Sequence, residues 1–288
     1  MQKRSTMTVV YSERMRAPAQ SDSPSAAKPA EVMQDWTAAA LPMRVIAPQP
    51  ATIDELCLAH ERRYVEDVLA LKRPNGFDTI DAAVAASLPY TSGAMLTAAR
   101  IALAERIAVC APVSGFHHAG WAAGWGYCTF NGLMVTALAL RRASLVRRVA
   151  IIDCDQHEGD GTTGIIAHTD SASWVRHFTA GAEFHRPTQV EAFFARLSDE
   201  LCALEGVDLV LYQAGADPHV LDPLGGWMTT AEMQRRDAVV FDALRARGIP
   251  VVWNLAGGYQ RDASGGIAPV LALHRNTARE HLRAFAGA

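Results

Sequence analysis

No run of apolar residues in this 288-residue chain approaches the roughly 20 needed to span a bilayer. The opening Met1-Gln2-Lys3-Arg4-Ser5-Thr6-Met7-Thr8 also lacks the apolar core of a secretory leader, so a cytoplasmic protein with no membrane partner is expected. Charge of one sign is lacking too: 27 Lys and Arg against 30 Asp and Glu leave a net charge of -3, which makes no electrostatic case for binding nucleic acid directly. Cysteine is scarce and odd in number. The five (Cys57, Cys110, Cys128, Cys154 and Cys202) are dispersed through mostly apolar runs, which reads as buried reduced thiols rather than a disulfide framework. No internal repeat and no second-domain boundary is visible, and the Ala-, Ser- and Pro-rich stretch 16–31 is expected to be an irregular surface segment.

What the chain does contain is an alternation. Helical periodicity over 54–71, 92–108, 130–142, 188–204, 230–247 and 268–284 is interleaved with short β-rich runs at 109–112, 149–152, 173–178, 207–212 and 249–255. Thr229 or Thr230 is placed to cap the helix over 230–247, Gly248 to end it, and Gly76-Phe77-Asp78-Thr79 to form a loop. Strands alternating with helices predict a single α/β domain over 1–288, with a mostly parallel sheet flanked by helices on both faces.

Chemistry collects where these strands end. The run Ile151-Ile152-Asp153-Cys154-Asp155-Gln156-His157-Glu158-Gly159-Asp160-Gly161-Thr162 delivers Asp153, Asp155, His157 and Asp160 straight after an apolar strand. Residues two apart on an extended chain share a face, so Asp153, Asp155 and His157 are expected to point together, with Cys154 turned away. Burying that many ionisable groups costs several kcal/mol unless a cation compensates, and the mixed O/N donor set suits Zn²⁺, with Mn²⁺ and Fe²⁺ as further fits. The strand over 207–212 leads to Asp217, that over 249–255 to Gly257-Gly258-Tyr259, and the short one before Pro112 to Ser114-Gly115-Phe116-His117-His118. Open parallel sheets bind ligands at the carboxyl ends of their strands, so these motifs are expected on one rim. Taken alone, Asp217 before Pro218 is a common turn residue, and Tyr259 an aromatic packed on the sheet end. Beside Asp155 and His157, Asp217 completes a three-ligand set of the catalytic kind that keeps a position open for water. Asp153 and Asp160 are available to orient His117 and His118.

The segments SGFHHA (114–119), GYCTFN (126–131), IIDCDQHEGDGT (151–162), QAGADPHVLDPLGG (213–226) and LAGGYQ (255–260) resemble, in order and spacing, the histone deacetylase superfamily. The resemblance includes its bacterial deacetylase-like and acetylpolyamine amidohydrolase-like members and their arginase/deacetylase fold. It implies Zn²⁺ held by Asp155, His157 and Asp217, with His117 paired to Asp153 and His118 to Asp160. His118 would be the proton shuttle, His117 mainly electrostatic, and Tyr259 the group that polarises the acyl carbonyl. Gly126 and Tyr127 match the pair lining the acyl-lysine tunnel, Asp78 the acid that meets the substrate backbone, and K⁺ is implied as a structural ion on carbonyls of 153–157. The implied activity is hydrolysis of an N-acetylated or short-acyl amine: a lysine side chain, a polyamine or a small amide. A homo-oligomer is compatible with it. Three departures stand out: Glu158 where many members have histidine, Ala256 in place of an acid, and no His-Pro-Glu signature near the amino terminus. Two rivals are an arginase-like two-manganese hydrolase and a catalytically silent protein that binds acyl-amines.

Overall fold

The computed structural model describes residues 6–18, 21 and 23–285, so residues 19, 20 and 22 of the segment 16–31, and residues 1–5 of the opening stretch, lie outside the described residues. Among the described residues, short Val- and Ile-rich runs form seven strands: β1 (Met7–Val10), β2 (Met43–Ile46), β3 (Ala108–Cys110), β4 (Val149–Asp153), β5 (Val175–Thr179), β6 (Leu209–Gln213) and β7 (Val251–Asn254). They pair in the order β2-β1-β3-β7-β6-β4-β5, every neighbour parallel. Each residue of β3, β4, β6 and β7 is buried, so helices cover the sheet on both faces, as the near-continuous apolar runs demand.

The covering helices are α1 (Lys28–Ala38), α2 (Ile53–Leu56), α3 (Arg62–Leu69), α4 (Ala82–Glu105), α5 (Gly132–Arg142), α6 (Asp160–His168), α7 (Val190–Cys202), α8 (Thr230–Arg247) and α9 (Ala268–Ala284). At α8 the expected punctuation holds. Thr229 Oγ1 accepts from Glu232 N in a capping box, and Gly248 closes the helix in the left-handed region at φ 61°. Elsewhere the structure departs from the pattern. Helix α4 begins ten residues before the expected start at 92, launched by Asp81 Oδ1 accepting from Ala83 N and Val84 N, and it runs through Pro89. The periodic stretch 54–71 divides into α2 and α3. Among the described residues of 16–31, where an irregular surface segment is expected, α1 starts at Lys28, and Ala17, Ser23, Ser25, Lys28 and Ala30 are buried.

Register brings the carboxyl ends into line. Asp153 lies opposite Thr179 on one side and Gln213 on the other, and Gln213 lies opposite Asn254. The last residue of four adjacent strands is therefore polar and on one edge, which is where the functional loops begin.

Two buried imidazoles set an acid limit on this core. Trp253 Nε1 donates to His281 Nδ1 (2.8 Å), and Asn131 N donates to His60 Nε2 (2.8 Å) while His60 Nδ1 donates to Gly120 O (2.8 Å). Both rings are thereby fixed as neutral acceptors, and burial pushes His60 down to about 4 and His281 down to about 3. The unfolded chain binds these protons first, so stability is full above pH 6.5 and falls as pH drops toward 4. At pH 5 each ring withdraws ~2 kcal/mol. Urea unfolding at pH 7.5 and pH 5 should show this drop, smaller by ~2 kcal/mol in His281→Gln; the same drop in the variant as in wild type would disprove the assignment.

Candidate active site

Strand β4 stops at Asp153, and the chain then turns. His157 N bonds back to Asp155 Oδ1 (3.0 Å), and Asp155 N to Asp153 Oδ1 (3.1 Å). The alternation expected to align Asp153, Asp155 and His157 therefore ends one residue in, and side-chain-to-backbone bonds of the turn direct the last two. Asp155 and His157 meet Asp217 from the loop after β6, their ligand atoms all within 4.8 Å of one another. His157 Nδ1 is 3.3 Å from Asp155 Oδ1 and 3.2 Å from Asp217 Oδ2. The buried Cys154 thiol takes no part in this group.

The loops approach closely because glycine permits it. A Cβ on Gly257 would lie 2.1 Å from Asp217 Oδ2, and one on Gly215 would lie 2.7 Å from Asp217 Oδ1. Backbone donors hold most of the carboxylate oxygens: Gly257 N on Asp155 Oδ2 (2.8 Å) and Gln156 N on Asp217 Oδ1 (3.2 Å). Asp217 Oδ2 is buried with only the His157 ring nitrogen beside it, poorly aligned at 3.2 Å, and a divalent cation would satisfy it. Burial, and then the neighbouring Asp155, push the Asp217 carboxyl up to about 7. Burial opposes ionisation of Asp155 as well, but His117 and His157 outweigh it and hold that carboxyl well below its usual range. Two carboxylates and one imidazole around a poorly satisfied oxygen fit a metal of the zinc class.

Beside this group lie two His–Asp pairs. His117 Nδ1 donates to Asp153 Oδ2 (2.8 Å), and Asp153 Oδ1 also accepts from Gln213 Nε2 (3.0 Å). His118 Nδ1 donates to Asp160 Oδ1 (2.7 Å) at the start of α6. The rings of His117 and His118 are 4.1 Å apart, and that of His118 is 5.9 Å from His157. Burial disfavours charge on both histidines, but the environments diverge. Asp153, Asp155 and Asp217 reverse the effect at His117 and lift it to about 9, while the cationic His117 reinforces it at His118, which is lowered.

Tyr259 arrives on the loop after β7, its N–H held by Asp222 Oδ2 (2.8 Å). Burial, then Asp217 and Asp155, push its hydroxyl well above the usual range, so it stays a donor. The Tyr259 ring lies 5.7 Å from that of Tyr127, which lies 5.6 Å from Phe77, giving an aromatic wall. Gly126 and Tyr127 both take left-handed backbone (φ 55° and 65°), and a Cβ on Gly126 would strike the His118 ring at 2.6 Å. A cavity of about 530 Å³ opens beside Tyr127 and Tyr259, lined also by Leu221, Leu224 and Arg261. A larger one, about 780 Å³, lies at the opposite, amino ends of β6 and β7 and includes no member of this cluster. Asp78 is exposed on a left-handed turn (φ 57°), and Glu158 is exposed.

Several contributors escaped sequence reasoning. Lys28 is wholly buried, and its Nζ donates to Ala256 O (2.6 Å), fixing a residue strained at φ 52°. Burial pulls the Lys28 ammonium down to about 8 against the opposing pull of Asp217, Asp155 and Asp222. His60 and Asn131 hold the tandem-histidine loop from below: Asn131 Nδ2 donates to Ala119 O (3.1 Å) and to Thr162 Oγ1 (3.0 Å). Lys28 sits in a stretch whose composition resembles a loop, and no local pattern betrays its burial.

Comparison with known proteins adds to this geometry. The family model of the histone deacetylase domain matches residues 23–193, more than half of the chain. An uncharacterised protein of Picosynechococcus is 30% identical over 259 residues, covering 81% of this chain and 85% of its own length. The chloroplastic histone deacetylase 10 of Oryza sativa is 25% identical over 253 residues, covering 73% of this chain, which spans 56% of that relative. Among solved structures, the acetylpolyamine aminohydrolase from Burkholderia pseudomallei superposes with a TM-score of 0.73 at 18% identity, over 98% of this chain and 99% of that one. Among the described residues, no helix is long and apolar enough to cross a membrane.

Proposed function

Since the chain belongs to the histone deacetylase family, we propose that it is a zinc-dependent deacetylase hydrolysing the amide of an N-acetylated or short-acyl amine. The observation that carries the reading is the pair of imidazoles, each donating through Nδ1 to its own carboxylate, packed against the His157 group. A zinc ion held by Asp155, His157 and Asp217 would supply Lewis acidity, lowering the pKa of water toward about 7 and polarising the amide carbonyl.

The chain's own groups then divide the work. His118, kept below its ordinary pKa, is neutral near pH 7 and takes a proton at Nε2 from the attacking water. Asp160 fixes its tautomer and steadies the imidazolium that forms. His117, held cationic by its three carboxylates, adds positive charge beside the reacting carbonyl. The Tyr259 hydroxyl donates to the carbonyl oxygen as negative charge develops. The imidazolium of His118 returns its proton to the departing amine, releasing an acyl acid and a free amine. Gly126 and Tyr127 are proposed to line the path of the acyl-amine, and Asp78 to meet the backbone of a longer substrate. K⁺ is proposed against carbonyls of 153–157, a segment in which Cys154 O is already bonded to Arg236. The protein is proposed to act as one domain in the cytoplasm.

Acetate release from acetylated-lysine peptides, acetylpolyamines and small acetamides tests the reading. Turnover of at least one class, abolished by chelation and restored by about one zinc per chain, is expected. Tight binding without turnover would identify an acyl-amine binding protein instead, and two manganese ions per chain would favour the arginase-like alternative.

A further inference from the structure

Arg236 is a fully buried cation on α8, one turn in from the capping box and on the side of that helix facing the sheet. Its Nη1 donates to two carbonyls at once: Gly215 O at 2.7 Å and Cys154 O at 3.2 Å. Cys154 immediately precedes Asp155, and Gly215 lies two residues before Asp217. One nitrogen therefore ties together the two loops that carry the carboxylates of the metal group, loops that leave different strands.

The guanidinium is itself immobilised from three elements. Its Nε and Nη2 lie 2.9 and 2.8 Å from Asp237 Oδ1. The same oxygen accepts from the Tyr212 hydroxyl on β6, and Asp237 Oδ2 accepts from Thr277 Oγ1 on α9 (2.6 Å). Stability alone is a poor account of such an arrangement, because apolar residues of similar volume commonly replace a buried ion pair without loss. What apolar residues cannot do is bond two carbonyls just past the strand ends. The gap being set is narrow: a Cβ on Gly215 would lie 2.9 Å from Asp155 Cα.

We propose that Arg236 is a positioning residue for the metal centre, fixing the separation of the Asp155 and Asp217 carboxylates by clamping the carbonyls of Cys154 and Gly215. The proposal rests on the assignment of those two aspartates as ligands. Groups that orient ligands from outside typically change metal affinity by about 10- to 100-fold when removed.

The test is the zinc dissociation constant from chelator competition, measured on folded full-length chains, together with thermal unfolding of the zinc-free proteins. Arg236→Met combined with Asp237→Asn removes the cation and its counter-charge together, and should weaken zinc binding about 10- to 100-fold. Arg236→Lys keeps the charge but lacks the planar fork, and should fall between that variant and wild type. This second variant decides the matter if the first fails to fold. Zinc affinity within twofold of wild type in a folded variant overturns the proposal, whatever happens to its unfolding temperature. Asp217→Ala run in parallel separates the two ideas: wild-type zinc affinity there overturns the ligand assignment, whereas lost affinity there with Arg236 variants unaffected overturns only the clamp.

Discussion

Replacing Tyr259 by Phe, or His118 by Ala, should each lower turnover by about a hundredfold or more while zinc content stays at the wild-type level. Neither residue belongs to the group Asp155, His157 and Asp217, so both effects fall on the chemical step. The Tyr259 hydroxyl is a strong candidate donor because burial and the nearby Asp217 and Asp155 carboxylates make its ionisation so unfavourable. It can give a hydrogen bond to a developing oxyanion without surrendering its proton, and loss of one such donor costs on the order of 10² to 10³ in rate. His118 differs from His117 in the direction of its shift, and this yields a pH signature. With its pKa lowered, the base form persists below pH 6.5, so the acid limb of kcat/KM lies below the value of an ordinary imidazole. In His118→Ala that limb should vanish along with most of the rate. Wild-type turnover in both variants would sink the mechanism, and loss of metal in Tyr259→Phe would show that its role is structural.

The parts of the molecule legible in the sequence are those in which one short segment carries both the element and its chemistry. Asp153 ends β4 and begins the ligand run, and its register with Gln213 and Asn254 follows once parallel neighbours are assumed. Helix α8 announced itself through Thr229 or Thr230 and Gly248. Elements of four residues, such as β1 and β2, hold too few positions for a period to show. Pro89 obscured the first turns of α4, although Asp81 caps them. The deepest gap concerns buried charge. Lys28 and Arg236 lie in stretches whose composition predicts solvent, and their burial depends on partners far along the chain: Ala256 for one, Cys154 and Gly215 for the other. A charged residue carries no local mark of such a fate, because the compensating carbonyls become adjacent only when the sheet has formed. The alternation argument failed at Asp155 for a related reason. Strand geometry stops where side-chain bonds to the backbone begin.

Asp217→Asn should abolish zinc binding and yet leave the zinc-free chain at least as stable as wild type at pH 8. The two halves share one cause. Asp217 is fully buried beside Asp155, its Oδ2 has only a poorly aligned His157 nitrogen at 3.2 Å, and its carboxyl is pushed up to about 7 from an ordinary value of 3.8. A carboxyl raised in the fold binds its proton more tightly there than in the unfolded chain. Its ionisation therefore costs stability, beginning above pH 3.8 and reaching the full penalty above about 7. A divalent cation reverses that sign by pairing with both carboxylates, and its binding adds RT ln(1 + [Zn²⁺]/Kd) to the stability of the fold. Thermal unfolding at pH 8 with and without zinc reads both terms. Wild type should gain strongly on adding zinc, while Asp217→Asn should start at the same temperature or higher and gain almost nothing. A variant that still takes up one zinc per chain would remove Asp217 from the ligand set. One that loses zinc and is also much less stable without it would mean that the carboxylate is a structural anchor, with the strain at the site borne elsewhere.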